Sequence, residues 1–299
     1  MGIGSLKDVL RAGLSPFSFR VALPVQGRFV HIPIRHGVGL EVVRAYTRKH
    51  YRWMSILLEN LPLLRNSCFV DVGAHLGESL IAIKRLDRNW PYLGFEPNPL
   101  CVDYVQELVR VNGYPACALI SAGLSDAAGE TNLYLESPRD SGATIISDLI
   151  PGRAPAETTV RISVFDQIRE NLAPSAPVGF IKIDVEGAEL KALTGMTKTL
   201  ASDRPLVLCE VLWADPRADI ETSTERNKKL VTLLKGLDYE IYQVLKHRGG
   251  NPAPTLRHIS GFEAQVWSSS NEHLCDYLFA PAEMVATATK DGPPSLKRA

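Results

Sequence analysis

Nowhere in the chain do about 18 apolar residues run together, so no segment reads as a bilayer-spanning helix. Neither sign of charge is in excess: 33 lysines and arginines balance 33 aspartates and glutamates. That excludes a broad, sequence-blind grip on nucleic acid or acidic membrane. There is no C-x-x-C pair. The five cysteines, Cys68, Cys101, Cys117, Cys209 and Cys275, are scattered, mostly within or beside apolar runs. Such usage fits small buried hydrophobes in a reducing cytoplasm. The opening MGIGSLKDVLRAGLSPFSF lacks the continuous apolar core of a secretory signal. Leu6 stands where a myristoylation signal needs Ser or Thr. The expectation is a cytoplasmic chain with no nucleic-acid partner and no membrane span.

What is present is ample apolar material, 45% of 299 residues, enough for a packed core. From residue 68, short apolar runs alternate with longer helical patterns. CFVDVG precedes HLGESLIAIKRLDRN, where Leu76, Leu80, Ala82 and Ile83 recur at helical spacing. YLGFEP precedes PLCVDYVQELVRVNGY, and ACALISAGL follows. This order predicts parallel βαβ units. Residues 129–166 break it: NLYLE and TTVRISVF, separated by Ser, Gly and Pro, predict an antiparallel arm or lid. Alternation resumes with VGFIKIDV, a single helix over EGAELKALTGMTKTLASD, and PLVLCEVLW. A helix stopping near Gly236 and the strands YEIYQVL and CDYLFAP complete the pattern.

The fold expected is therefore α/β, Rossmann-like: a seven-stranded, mostly parallel sheet with helices on both faces and an inserted β arm. Residues 1–66 read as an extension, hairpin plus amphipathic helix, forming a lid over substrate. Residues 67–283 read as the main domain, and 284–299 as a polar disordered tail.

Three stretches carry chemistry. In Asp71-Val-Gly73-Ala-His-Leu-Gly77, between a strand and a helix, a missing side chain at Gly73 leaves room for a ligand near the helix start. A dinucleotide turn would read G-x-G-x-x-G; this one has only G-x-x-x-G, with a carboxylate two residues ahead. That carboxylate opposes a pyrophosphate and suits a cation, which favours S-adenosylmethionine over NAD. A plain strand–helix turn would use the same glycines. Glu96, at the tip of the next strand before Pro97-Asn98-Pro99, is placed to accept both hydroxyls of a ribose. A carboxylate complementing a helix start is the other reading. In IKIDVEGAE, Lys182, Asp184, Glu186 and Glu189 crowd one strand tip, where open parallel sheets bind ligands. Carboxylates so close raise one another's pKa unless paired with Lys182 or a metal.

FVDVGAHLGES, GFEPNP, GLSDAAGETNLYL, FIKIDVEGAELKALTGM and RPLVLCE, in this order, resemble the FkbM-type family of S-adenosylmethionine-dependent methyltransferases. The resemblance covers roughly residues 68–212, with CDYLFAP similar to the family's final strand. His75 departs from it, since the family usually has asparagine there. The resemblance implies a class I methyltransferase fold and methylation of a hydroxyl on a sugar or natural product. It implies cofactor contacts at Asp71, Gly73, Ala74, His75, Gly77, Glu96, Pro97, Asn98 and Asp126, and closure of Ser141–Thr144 over the cofactor. An alcohol needs a base to take its proton; Asp184, Glu186 and Glu210 are the catalytic candidates. His75, His247 and His258 stand behind them. No histidine or cysteine spacing marks a metal site, and none is expected, although carboxylates alone suit Mg²⁺. An NAD(P)-dependent oxidoreductase and a catalytically silent cofactor-binding protein of the same fold are the alternatives.

Overall fold

The computed structural model describes residues 18–284 except 26, 36, 49–50, 64–65, 148, 150–155, 172–175, 217, 219, 247–252, 264 and 269. The expectations for residues 1–17, His247 and the tail after 284 lie outside the described residues. Met284, assigned to that tail, is buried in the core.

The N-terminal hairpin is β1 (Ser18–Val25) against β2 (Arg28–Arg35), followed by helices α1 (Leu40–Thr47) and α2 (Arg52–Asn60). Then come β3 (Cys68–Val72), α3 (Glu78–Leu86), β4 (Tyr92–Phe95), α4 (Pro99–Asn112) and β5 (Cys117–Ile120). Strands β6 (Gly123–Leu124), β7 (Gly129–Leu135) and β8 (Ala156–Ser163) form a separate three-stranded sheet, with β7 and β8 antiparallel. This is the arm. The chain continues through α5 (Phe165–Asn171), β9 (Val178–Ile183), α6 (Glu189–Thr194), α7 (Thr197–Asp203) and β10 (Leu206–Glu210). It ends with α8 (Ile220–Gly236), β11 (Tyr239–Leu245), β12 (Thr255–Ile259) and β13 (Asp276–Pro281).

The main sheet has eight strands rather than seven, in the order β12-β11-β13-β10-β9-β3-β4-β5. Strands β10, β9, β3, β4 and β5 are mutually parallel, and β13 runs antiparallel to both β10 and β11. The added strand is β12, whose TLRHI is largely exposed at the sheet edge. Its polar residues hide the two-residue period that marks a half-buried strand. The single helix expected over residues 186–203 is two, α6 and α7. The break is at Gly195, where a Cβ would lie 2.2 Å from the Ser125 carbonyl oxygen. Contact with the chain leading into the arm therefore interrupts the helix.

Alternating side chains divide the core into two clusters, one on each face of the sheet. Phe69, Phe180, Leu206 and Leu208 join the hairpin, α2, α3 and α4 on one face. Val70, Ile181, Val207 and Cys209 join α7 and α8 on the other. The N-terminal segment thus shares a core with the sheet, its Ile32, Ile34, Met54 and Leu58 buried there. Among the described residues no helix is long and apolar enough to cross a membrane.

Candidate active site

Strand register decides what stands beneath the site. In the parallel pair β3–β9, Asp71 lies opposite Lys182, and both point to the face that holds Phe69 and Phe180. Asp71 is 0% exposed. Its Oδ2 accepts the Tyr92 hydroxyl at 2.6 Å, and its Oδ1 lies 3.9 Å from Lys182 Nζ. Burial pushes its carboxyl up to about 6, against the pull of Lys182 and Tyr92. Lys182 in turn lies 3.0 Å from Asp184 Oδ2. Burial lowers its pKa, but Asp184 and Asp71 outweigh that and keep it charged.

Above this buried chain of charges, the tips of β3, β4, β9 and β10 surround a cavity of about 270 Å³. Gly73, Ala74, His75, Glu96 and Pro97 line it, as do Asp184, Glu186 and Glu210. The arm contributes Leu133, and its loop adds Asp140, Ser141, Ala143 and Ile145. Six lining residues are carboxylates (Glu78, Glu96, Asp140, Asp184, Glu186, Glu210), against Lys182 and His75 as bases.

Four residues expected at the cofactor do not reach this cavity. Asp71 lies below the turn, its charge answered by Lys182. Gly77 begins α3, and a Cβ there would meet Leu108 Cδ2 at 2.8 Å, so this glycine serves the packing of α3 on α4. The Asn98 side chain caps α4 through the Leu100 N–H and donates to the Pro138 carbonyl of the arm loop. Asp126 is exposed beside Ser125. Gly73 lines the cavity, but its bareness has a further cause. At φ +84, a Cβ would lie 1.9 Å from the Asp184 carbonyl oxygen. The glycine lets two strand tips touch.

Three of the turn's N–H groups are held by the next strand's tip. Gly73 and Ala74 donate to the Phe95 carbonyl at 2.9 and 3.0 Å, and His75 N–H donates to Glu96 Oε2 at 2.8 Å. Asn98 N–H donates to Glu96 Oε1 at 2.8 Å. Both Glu96 oxygens are thus aimed by backbone, in a residue only 6% exposed. Burial raises its pKa; the two N–H groups oppose that.

His75 and Glu186 line the cavity in the left-handed region, at φ 43 and 49, which is strained for side chains other than glycine and asparagine. Thr144 Oγ1 steadies the second by donating to the Glu186 carbonyl at 2.6 Å. Burial would depress His75, but Glu78, 3.8 Å from Nδ1, raises it to about 9, so the ring is cationic at neutral pH. Burial and then Asp184 push Glu186 well above the usual carboxylate range. The same causes, with Asp276 added, bring Glu210 to about 8, and the Cys275 thiol donates to its Oε1 at 3.0 Å.

A second cavity of about 210 Å³ adjoins the first, and Tyr51, Lys182, Asp184 and Glu210 line both. Its other walls include Trp53 and Met54 of α2, and Lys246 paired with Asp276. None of Tyr51, Trp53, Lys246 and Asp276 was expected at the site from sequence. His258 stands away from this centre, on β12, against Glu240 at 2.7 Å.

An open doubly wound α/β sheet with a ligand-sized crevice over its central strand tips belongs to the nucleotide-crevice class of folds. Within that class the chain belongs to the methyltransferase FkbM domain family, whose model matches residues 71–249. It is 26% identical over 166 residues to methyltransferase sdnD of Sordaria araneosa, a match covering 46% of this chain and 63% of that one. The chain therefore spans less than two thirds of that relative. Among solved structures it is similar to methyltransferase FkbM from Methylobacillus flagellatus, at 16% identity and TM-score 0.42 over 72% of this chain and 44% of that one. It is also similar to M. jannaschii TYW2 in complex with AdoMet, at 13% identity and TM-score 0.41 over 88% and 86%.

Proposed function

We propose that the chain is an S-adenosylmethionine-dependent O-methyltransferase acting on a hydroxyl of a sugar or natural product. The observation that carries this reading is the main cavity's lining, six carboxylates against two basic side chains, with Glu96 held there by two backbone N–H groups. A diol meets two aimed carboxylate oxygens, and a ligand bearing sulfonium and ammonium meets a surplus of negative charge. Phe95, Pro97, Leu124 and Ile145 supply apolar wall for a flat ring. The residues fit the group. The surplus resides in Glu78, Asp140 and Asp184, not in the buried Asp71.

S-adenosylmethionine, when bound, supplies an electrophilic methyl group. The chain's own part is to seat an acceptor hydroxyl and take its proton. Asp184 and Glu210 border both cavities, whereas Glu186 borders only the first. Of the two, Glu210 titrates near 8, where a base both ionises and holds a proton well. Cys275 occupies its Oε1, so Oε2 receives the hydroxyl proton. Lys182 fixes Asp184 at the boundary between the cavities. The test is to incubate the chain with S-adenosylmethionine and a panel of hydroxylated acceptors and follow S-adenosylhomocysteine release. Release that depends on a hydroxylated acceptor supports the reading. Release only with amine or thiol acceptors refutes the O-specificity.

A further inference from the structure

A third cavity, about 500 Å³, lies outside the catalytic centre. Its walls are Leu23, Pro24 and Val25 of the hairpin and Tyr46 of α1, with Thr47 and Arg52 also lining it. Leu23 and Val25 form an apolar floor, each under a tenth exposed. Tyr51 lines this cavity and both of the others. The ring of Tyr51 stacks on Tyr46 at 5.8 Å, and the Tyr46 hydroxyl donates to the Glu78 carbonyl at 2.6 Å. This aromatic pair is thereby fixed to the start of α3, beside the cofactor turn. Tyr51 thus stands as a shared wall between an apolar groove and the cavities that hold Asp184 and Glu210.

The two sides of Tyr51 differ in chemistry. In the second cavity each lysine already has a carboxylate: Lys182 has Asp184, and Lys246 has Asp276. A phosphate or carboxylate entering there would compete with pairs already made. A neutral molecule with several hydroxyls finds donors and acceptors without that conflict. The groove beyond Tyr51 offers apolar surface instead.

We infer that the methyl acceptor is amphipathic: a neutral hydroxylated head sits against Lys182, Asp184 and Glu210, and an apolar portion lies in the groove of Leu23, Val25 and Tyr46. This rests on reading the Asp184–Glu210 side as the acceptor side, and it narrows the acceptor to glycolipid-like or alkylated hydroxyl compounds. The N-terminal segment is then the part that selects substrate, since it supplies Tyr51 and the whole groove.

The test uses the full chain saturated with S-adenosylhomocysteine and three probes followed by ligand-observed NMR: methyl β-D-glucopyranoside, n-octyl β-D-glucopyranoside below its micelle concentration, and the n-octyl glucuronide. Octyl glucoside is expected to bind at least about tenfold tighter than methyl glucoside, because its chain removes apolar area from water. The glucuronide is expected to bind more weakly than octyl glucoside. Pro24→Glu and Thr47→Asp, two exposed positions lining the groove, are each expected to remove most of the octyl advantage. Both should leave S-adenosylhomocysteine affinity unchanged. Equal binding of methyl and octyl glucosides, or an octyl preference untouched by both variants, overturns the groove assignment. A glucuronide that binds tighter overturns the neutral head. Concentration-dependent dimerisation abolished by the same variants gives the groove to a second copy and also overturns it. Failure to bind S-adenosylhomocysteine at all is a separate result, and it falls on the cofactor reading instead.

Discussion

Substituting Gly73 by alanine tests whether the turn is shaped by the neighbouring strand tip. Gly73 sits at φ +84, and a Cβ built there would lie 1.9 Å from the Asp184 carbonyl oxygen and 3.0 Å from its carbonyl carbon. Carbon–oxygen contacts normally settle at about 3.3–3.6 Å, so the two tips would have to separate. They are tied: Asp184 N–H donates to the Val72 carbonyl at 3.0 Å, and Gly73 and Ala74 are bonded to Phe95. Left-handed alanine costs about 1–2 kcal/mol, and forcing a methyl into packed structure adds about 1–3 kcal/mol. Gly73→Ala is therefore expected to lose about 2–5 kcal/mol in urea denaturation, and its folded fraction should bind S-adenosylhomocysteine more weakly. Gly236→Ala is the control, because a Cβ at the end of α8 meets nothing within 4 Å. It should be neutral or stabilising by up to about 1 kcal/mol. A Gly73→Ala stability within about 0.5 kcal/mol of the parent, the range of a bland surface change, would refute the close approach.

Three further outcomes follow from the titrating groups. Asp71 is raised from 3.8 to about 6, so the folded state binds its proton more tightly than the unfolded state does. The resulting stability is present below about pH 4 and lost as pH rises through 6, up to about 3 kcal/mol; in Asp71→Asn that part of the pH slope should vanish from denaturation curves. Methyl transfer should rise with pH through about 8 as Glu210 ionises, and Glu210→Gln should remove that limb and slow turnover by about 10²–10⁴-fold. An unchanged profile would retire Glu210 as the base. His75→Asn places a residue tolerant of the left-handed region at φ 43 and removes a cation from the cavity. Calorimetric titrations should then show affinity for S-adenosylmethionine rising relative to S-adenosylhomocysteine, which lacks the sulfonium charge; an unaltered ratio would show that the imidazolium does not face the ligand.

The central strands were legible because buried parallel strands are continuous apolar runs, and IKIDVEGAE and FVDVG mark their tips without ambiguity. The arm was readable from its alternation and its Ser, Gly and Pro. Strand β12 was not, because an edge strand with Thr, Arg and His exposed carries no clear period. At the site, Glu96, Asp184, Glu186 and Glu210 could be chosen because carboxylates at strand tips have few structural reasons to be there. Asp71 belonged to the same pattern but lies buried opposite Lys182 and does not line the cavity. A lysine inside an otherwise apolar strand, at 182, was the available sign that some buried carboxylate must answer it. Tyr51 and Trp53 come to the crevice from the N-terminal segment, Lys246 from just beyond β11, and Asp276 from the start of β13 beside Glu210. Only the folded chain brings them together, and nothing in their local spacing announces it.

The most direct test of the account is calorimetric titration of S-adenosylmethionine into the parent chain and into Glu96→Ala, with folding of the variant checked by circular dichroism. Loss of aimed, charge-assisted bonds should weaken binding by about 1–3 kcal/mol, or roughly five- to 150-fold. A folded variant that binds S-adenosylmethionine as tightly as the parent would contradict the cofactor assignment on which the proposed chemistry rests.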